Sequence, residues 1–179
     1  MKLALSVALV AVMTGCGSAQ QPPLRTGPAL LRDGDLPGWK TVRAEPGIGE
    51  LAPHLSGLNV SGRVEAPVLA HAGDAARVTA LVFATPEDAA RALARAREPR
   101  YVTFLEHAFG GAVVARGPGV GYRLPVTRGS EPGSDTAEVF VLRRGPVVAL
   151  IELVSARGFD RARRDRLLGL VRSRLRLST

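Results

Sequence analysis

The sequence contains a single cysteine, Cys16, so no disulfide can form within one chain. Aromatic residues are scarce at 4% of the chain, with one tryptophan among them. With few large rings and no cross-link, a stable domain has to bury many smaller apolar side chains, chiefly Val, Leu and Ala. The apolar share of 46% is ordinary for a globular protein and is sufficient for such a core.

Spacings typical of catalytic and metal-binding residues are also missing. The three histidines, His54, His71 and His107, form neither an HExxH nor a paired spacing that would ligate a metal. Ser56 lies outside a Gly-x-Ser-x-Gly turn, although a triad can still be assembled in three dimensions. We therefore expect no metal, no cofactor and no enzymatic activity.

The first residues have the pattern of an export signal. Lys2 supplies a positive charge, and residues 3–13 are apolar except for Ser6. This apolar segment is too short to span a bilayer, which requires about 20 apolar residues. The small residues Thr14 and Gly15 then precede Cys16.

The segment Met13-Thr14-Gly15-Cys16 resembles the lipobox of bacterial lipoproteins, with Met13 where that family more often has Leu. The resemblance implies cleavage between Gly15 and Cys16 and transfer of a diacylglyceryl group to the Cys16 sulfur. We accordingly expect a lipid-anchored protein on the extracytoplasmic face of the cell membrane. The alternatives are an ordinary cleavable signal with a chance cysteine, or a short uncleaved membrane segment.

The remaining chain divides by composition. Residues 1–15 are the predicted signal peptide, and residues 16–31, which are rich in proline and glycine, are a predicted flexible tether. Residues 32–179 are long enough for a single domain.

The distribution of basic residues is uneven. The net charge is +8, and every basic residue except Lys2 and Lys40 is an arginine. Eight arginines and only two acids lie in residues 157–176, within a predicted C-terminal helix. One interpretation is a solvated face whose long stems cover apolar surface, and the other is contact with an anionic lipid or wall polymer. Nucleic acid is not an expected partner, because no aromatic residues alternate with the basic ones.

Local patterns predict an α+β domain, with an antiparallel sheet of about five strands and two or three helices packed on one face. Thr85-Pro86 is typical of a helix start. Residues 63–71 alternate like a strand, which Pro67 restricts to a sheet edge. Residues 137–142 and 147–154 are apolar on both faces and predict a central antiparallel hairpin. Residues 116–135, apart from an extended segment at 122–126, predict a turn-rich loop.

Asp35-Leu36-Pro37-Gly38-Trp39, Gly119-Val120-Gly121-Tyr122 and the segment 139–148 resemble secreted actinobacterial lipoproteins and receptor-kinase sensor domains of the mycobacterial type. The resemblance implies helices over an antiparallel sheet and a ligand cleft, for which Trp39 and Tyr122 are the candidate lining residues. A lone tryptophan is, however, more often a packing residue.

These patterns together favour a membrane-anchored envelope lipoprotein with a non-catalytic ligand-binding or sensor-like domain. The alternatives are a carrier that holds a lipid or another amphiphile in an apolar cavity and, with least support, an envelope hydrolase.

Overall fold

The computed structural model of the protein describes residues 30–42, 54–117, 119–128 and 131–175. Within these ranges the chain forms eight β-strands and three α-helices. In chain order they are β1 (Lys40–Val42), β2 (Val60–Glu65), β3 (Val68–His71), β4 (Asp74–Phe83), α1 (Pro86–Arg95), α2 (Pro99–Phe109), β5 (Ala115–Gly117), β6 (Val120–Arg128), β7 (Glu131–Arg144), β8 (Val147–Ser155) and α3 (Arg161–Arg174).

The eight strands form one antiparallel sheet in the order β1-β3-β4-β8-β7-β6-β5, and β2 pairs with β4 alongside β3. The predicted α+β class is confirmed, with more strands than the five or so expected. The additional strands are β1 and β5, of three residues each, and the division of the strand predicted at 63–71 into β2 and β3. Strands this short carry too few residues for a periodic signal.

The division of the edge strand follows from Pro67. The Ala66 backbone N–H still donates to the Val78 carbonyl at 2.9 Å, but proline has no N–H with which to continue the ladder. Pairing resumes in β3, where Leu69 lies opposite Ala76. Strand β2 pairs with β4 and has no second partner among the described strands, so the edge position predicted from Pro67 is confirmed there, but β3 lies between β1 and β4, so the prediction is wrong for residues 68–71.

The predicted central hairpin is present and is longer than expected. Strands β7 and β8 pair from Thr136↔Ser155 to Arg144↔Val147, around a turn in which Gly145 has a φ of 55°. Side chains on both faces of these strands are buried. A strand pair without a polar face requires a cover on each side of the sheet.

The covers lie on opposite faces, which corrects the prediction that the helices pack on one face. We call the two sides the α1/α2 face and the α3 face. The core of the α1/α2 face includes Ala92 of α1 and Leu105 of α2, whereas the core of the α3 face includes Leu167 and Val171 of α3. The local sequence of α3 shows which of its residues are buried but not which face of the sheet they cover.

The helix boundaries follow the local signals. Thr85 caps α1 by accepting from the Asp88 backbone N–H at 3.1 Å, with Pro86 in the first turn. Helix α2 ends at Gly110, whose φ of 75° is the left-handed conformation that glycine adopts at low cost. Helix α3 buries Leu167 and Val171 and is followed by the buried Leu175 at its C-cap, while Leu168 is partly buried.

An ion pair fixes the start of the domain to its end. The Arg174 guanidinium donates to both carboxylate oxygens of Asp35, at 2.5 and 2.7 Å, although the two residues are 139 positions apart. Arg174 also donates to the Leu30 carbonyl at 3.2 Å. The bond from Arg174 lowers the pKa of Asp35, so this carboxylate remains charged below its ordinary range. The pair holds residues 30–39 against α3.

We predict that Asp35→Asn lowers the free energy of unfolding by about 3 kcal/mol, the low end for breaking a buried pair, because the side chain of Arg174 is 18% exposed. Urea denaturation measures this change. Asp33→Asn is the control, because the exposed Asp33 accepts from Thr41 and pairs with no arginine of the described ranges, so its loss should cost much less. Equal losses in the two variants would contradict a special role for the Asp35–Arg174 pair.

Candidate functional site

The residues selected from sequence are not brought together by the fold. Gly15 and Cys16 lie outside the described residues. Trp39 belongs to the core of the α3 face, whereas Tyr122 belongs to the core of the α1/α2 face. The sheet separates the two side chains, so they do not line a common cleft.

Trp39 is a packing residue at the end of the sheet where α3 begins. Its side chain is 3% exposed, and its ring lies 5.6 Å from that of Phe159 and 6.3 Å from that of His71. The guanidinium of Arg163 lies over the indole, 5.9 Å from its centroid. The indole Nε1 has no hydrogen-bond partner among the described residues. Aromatic neighbours and a covering cation indicate a closed position rather than an open ligand surface.

Tyr122 is part of an aromatic cluster on the opposite face of the sheet. We define the aromatic cluster as His54, Tyr101, Phe104 and Tyr122. Tyr101 is central, with ring centroids 5.3 Å from His54 and 6.1 Å from both Phe104 and Tyr122. Edge-on contacts between His54 and the other rings are typical of favourable aromatic packing.

Three different elements position these rings. Tyr101 and Phe104 lie on α2, where a spacing of three residues directs both to the same side of the helix. Tyr122 lies on β6, beneath α2. Arg95 of α1 holds the segment of His54 in place by donating to the backbone carbonyls of His54 and Ser56, at 3.0 and 2.7 Å.

Two polar atoms in the aromatic cluster are buried without a hydrogen-bond partner among the described residues. They are the hydroxyl of Tyr101, a residue with 0% exposure, and Nε2 of His54. The neighbouring Tyr122 hydroxyl, in contrast, donates to the Ala96 carbonyl at 2.6 Å. A buried polar group left unpaired costs about 1–3 kcal/mol, so such atoms occur rarely and often mark functional positions.

Burial keeps both unpaired groups uncharged. Desolvation raises the pKa of Tyr101 far above its ordinary value, so the phenol keeps its proton. Desolvation, followed by the nearby Arg100, lowers the pKa of His54, so the imidazole is neutral at pH 7. A phenol O–H and an imidazole nitrogen can together bind a neutral molecule that carries hydrogen-bonding groups.

Sequence reasoning considered these positions differently. The sequence marks no base for Ser56, and among the described residues no hydrogen bond joins a serine hydroxyl to a histidine. Tyr101 belongs to no motif that selects it as a site residue. Helical periodicity indicates that a side chain is buried, but it carries no signal for whether a hydroxyl finds a partner.

A buried carboxylate on the α3 face is fully engaged. Glu138 of β7 has a 3% exposed side chain and accepts from Arg123 at 2.5 and 3.0 Å. Its other oxygen accepts from Arg164 of α3 at 3.3 Å. Two guanidinium groups satisfy this charge, so Glu138 is a structural group that fixes α3 to the sheet.

Over the described ranges, no group of three or more His, Cys, Asp or Glu residues is arranged to hold a metal ion. His71 is used structurally, since its Nδ1 donates to the Gly38 carbonyl at 2.9 Å. The described part of the chain also has no helix with the length and apolar character needed to cross a membrane.

No protein-family model and no curated protein sequence matches this chain. Among solved structures, the chain is similar to the extracellular domain of PknH from Mycobacterium tuberculosis, with 9% sequence identity and a TM-score of 0.48. The match covers 76% of this chain and 81% of that domain. A TM-score this low does not establish a shared fold or function.

We predict opposite outcomes for two phenol-to-phenyl substitutions in the aromatic cluster. Tyr101→Phe removes a hydroxyl with no partner, so the free energy of unfolding should stay the same or rise by about 1 kcal/mol. Tyr122→Phe removes the hydrogen bond to the Ala96 carbonyl and should lower the free energy of unfolding by about 1 kcal/mol. Chemical denaturation of both variants measures the difference. A clear loss of stability in Tyr101→Phe would show that its hydroxyl is bonded within the protein.

Proposed function

We propose that this protein is an envelope lipoprotein, anchored through acyl chains on Cys16, whose extracytoplasmic domain binds a small ligand without catalysing a reaction. The observation that carries the anchor is the placement of the lone cysteine directly after a short apolar leader and two small residues. A diacylglyceryl group supplies two chains, and stable anchoring requires more than one.

The aromatic cluster supports ligand binding. The ring centroids of its other members lie 5.3 to 6.1 Å from that of Tyr101, which is direct aromatic contact, so the support comes from the polar atoms of these rings and not from open space between them. The Tyr101 hydroxyl and Nε2 of the neutral His54 imidazole have no hydrogen-bond partner among the described residues, so each would gain a full hydrogen bond from a suitable ligand group. The proposed ligand is therefore neutral and carries groups that can bond a phenol and an imidazole.

The buried carboxylates are held in ion pairs with arginines, which supports a non-catalytic role. Asp35 and Glu138 are held by arginines, and Asp88 is buried beside Arg91. General acid–base chemistry uses a carboxyl or imidazole that is free to exchange a proton with a substrate. Ion pairs of this kind stabilise the charged carboxylates and leave them poor proton carriers.

We predict that Cys16→Ser abolishes acylation, because the serine hydroxyl replaces the sulfur that receives the lipid. Intact mass measurement should show loss of the acyl mass, and the processed protein should leave the membrane fraction. Ser18→Ala, two residues further along, is the control and should retain both properties. Membrane sedimentation of Cys16→Ser equal to that of the wild type would contradict the lipid anchor.

We predict that native mass spectrometry of the wild-type protein, purified from its original host in mild detergent, shows an additional bound mass. Tyr101→Phe should reduce its occupancy by up to about tenfold, the equivalent of one neutral hydrogen bond. Tyr122→Phe is the matched control, since the hydroxyl that it removes already bonds Ala96. The same occupancy in all three proteins would exclude the aromatic cluster as the binding site and leave the anchor untouched.

A further inference from the structure

The arginines of the C-terminal helix do not form one free basic face. Arg163, Arg164 and Arg174 pair with Asp74, Glu138 and Asp35, respectively. Arg161 lies 3.8 Å from Asp165 on the same helix. Three of the six arginines of α3 are thus used to attach the helix to the domain.

A smaller group of arginines is exposed and takes part in no ion pair with a described acid. We define the arginine patch as Arg143, Arg144 and Arg172. The first two are the last residues of β7, directly before the β7–β8 turn, and Arg172 lies in the last turn of α3. Arg144 donates to the backbone carbonyl of Arg172 at 3.2 Å, which joins the turn to the helix end.

The chain enters the domain at this same end. The Leu30 carbonyl accepts from Arg174, which is two residues beyond Arg172. Leu30 is 14 positions beyond Cys16, and a fully extended chain of this length reaches at most about 50 Å. The arginine patch therefore lies beside the attachment point of the tether and not at the far end of the sheet.

The acids near the arginine patch do not neutralise it. Asp35 is paired with Arg174, and Asp33 accepts two bonds from Thr41. No ion pair joins the exposed Glu87, in the first turn of α1, to any of the three arginines. At the far end, in contrast, Asp74 and Asp160 accompany the start of α3.

We infer that the arginine patch rests on the anionic headgroups of the membrane that holds the anchor. This inference depends on the proposed lipid anchor at Cys16. Guanidinium groups match phosphate geometry and keep their charge at any physiological pH, and anionic lipid gives the surface a negative potential. The anchor makes the contact intramolecular, so a weak attraction is enough to orient the domain.

The protein's single cysteine makes the orientation measurable. With Cys16 acylated, Ser173→Cys and Ala156→Cys each supply the only free thiol for a fluorophore. Both positions are exposed; Ser173 lies in the last turn of α3, Ala156 lies between β8 and the start of α3, and the helix is about 20 Å long. The full lipidated chain is reconstituted in vesicles that contain a nitroxide-labelled lipid, either with phosphatidylcholine alone or with added phosphatidylglycerol.

We expect strong quenching of the label at 173, but not at 156, in vesicles with phosphatidylglycerol. In the Ser173→Cys background, Arg144→Gln with Arg172→Gln should lower the equilibrium constant for the orientation with the arginine patch on the membrane about thirtyfold. Each arginine near an anionic surface contributes a factor of about five to this constant. Arg97→Gln with Arg157→Gln, the same charge change elsewhere on the surface, should leave it unchanged. Salt at about 1 M should weaken the contact by screening.

Three results would overturn the inference. The first is equal quenching at 173 and 156, and the second is equal quenching at 173 in both kinds of vesicle, which would mean that the tether alone sets the orientation. The third is a response of the label at 173 to an added anionic wall polymer but not to phosphatidylglycerol. Vesicle flotation tests the lipid anchor separately. If the protein does not float with the vesicles, the proposed anchor is wrong, and the result does not concern the contact of the arginine patch with headgroups.

Discussion

The central constraint on this structure is that strands β7 and β8 are buried on both faces. In many antiparallel sheets one face is polar and exposed to water, but both faces of this hairpin are mainly apolar. One cover is supplied by α1 and α2, and the other by α3 together with residues 30–39. The two cores, the closed position of Trp39 and the location of the aromatic cluster all follow from this double cover.

Covering the α3 face required more than apolar contact. The segment at residues 30–39 has little regular structure of its own, and it is attached through the pair of Asp35 and Arg174. Helix α3 is further fixed by Arg164 on Glu138 and by Arg163 on Asp74. With a single cysteine, the chain can form no internal disulfide, and these ion pairs join segments that are distant in the sequence, as disulfides do in many exported proteins.

Because many arginines form internal ion pairs, the high arginine content does not translate directly into a basic surface. A net charge of +8 gives a general attraction to anionic surfaces, but only charges that are exposed and unpaired act on a partner. The three arginines of the arginine patch meet this condition beside the point where the tether joins the domain. The ligand site and the membrane-facing surface are therefore assigned to different parts of the molecule, one between α2 and β6 and the other at the β7–β8 turn.

Local chemistry made several elements predictable. The helix start at Thr85-Pro86 and the β7–β8 hairpin each depend on residues close together in sequence. The three-residue strands β1 and β5 were not predicted, because their pairing partners and not their own composition define them. Trp39 and Tyr122 were expected in one cleft, and no local pattern indicates on which side of a sheet a distant residue is buried.

The sequence by itself determined the α+β class, the main helices and strands and the expectation of a lipid on Cys16, because each rests on neighbouring residues or on composition. Only the tertiary structure decided which arginines are free, which face α3 covers and which buried polar atoms lack partners. Those properties depend on distances between residues such as Asp35 and Arg174, far apart in the chain. The sequence shows that residue 101 is a tyrosine, but it does not show whether the tyrosine hydroxyl has a hydrogen-bond partner in the folded protein.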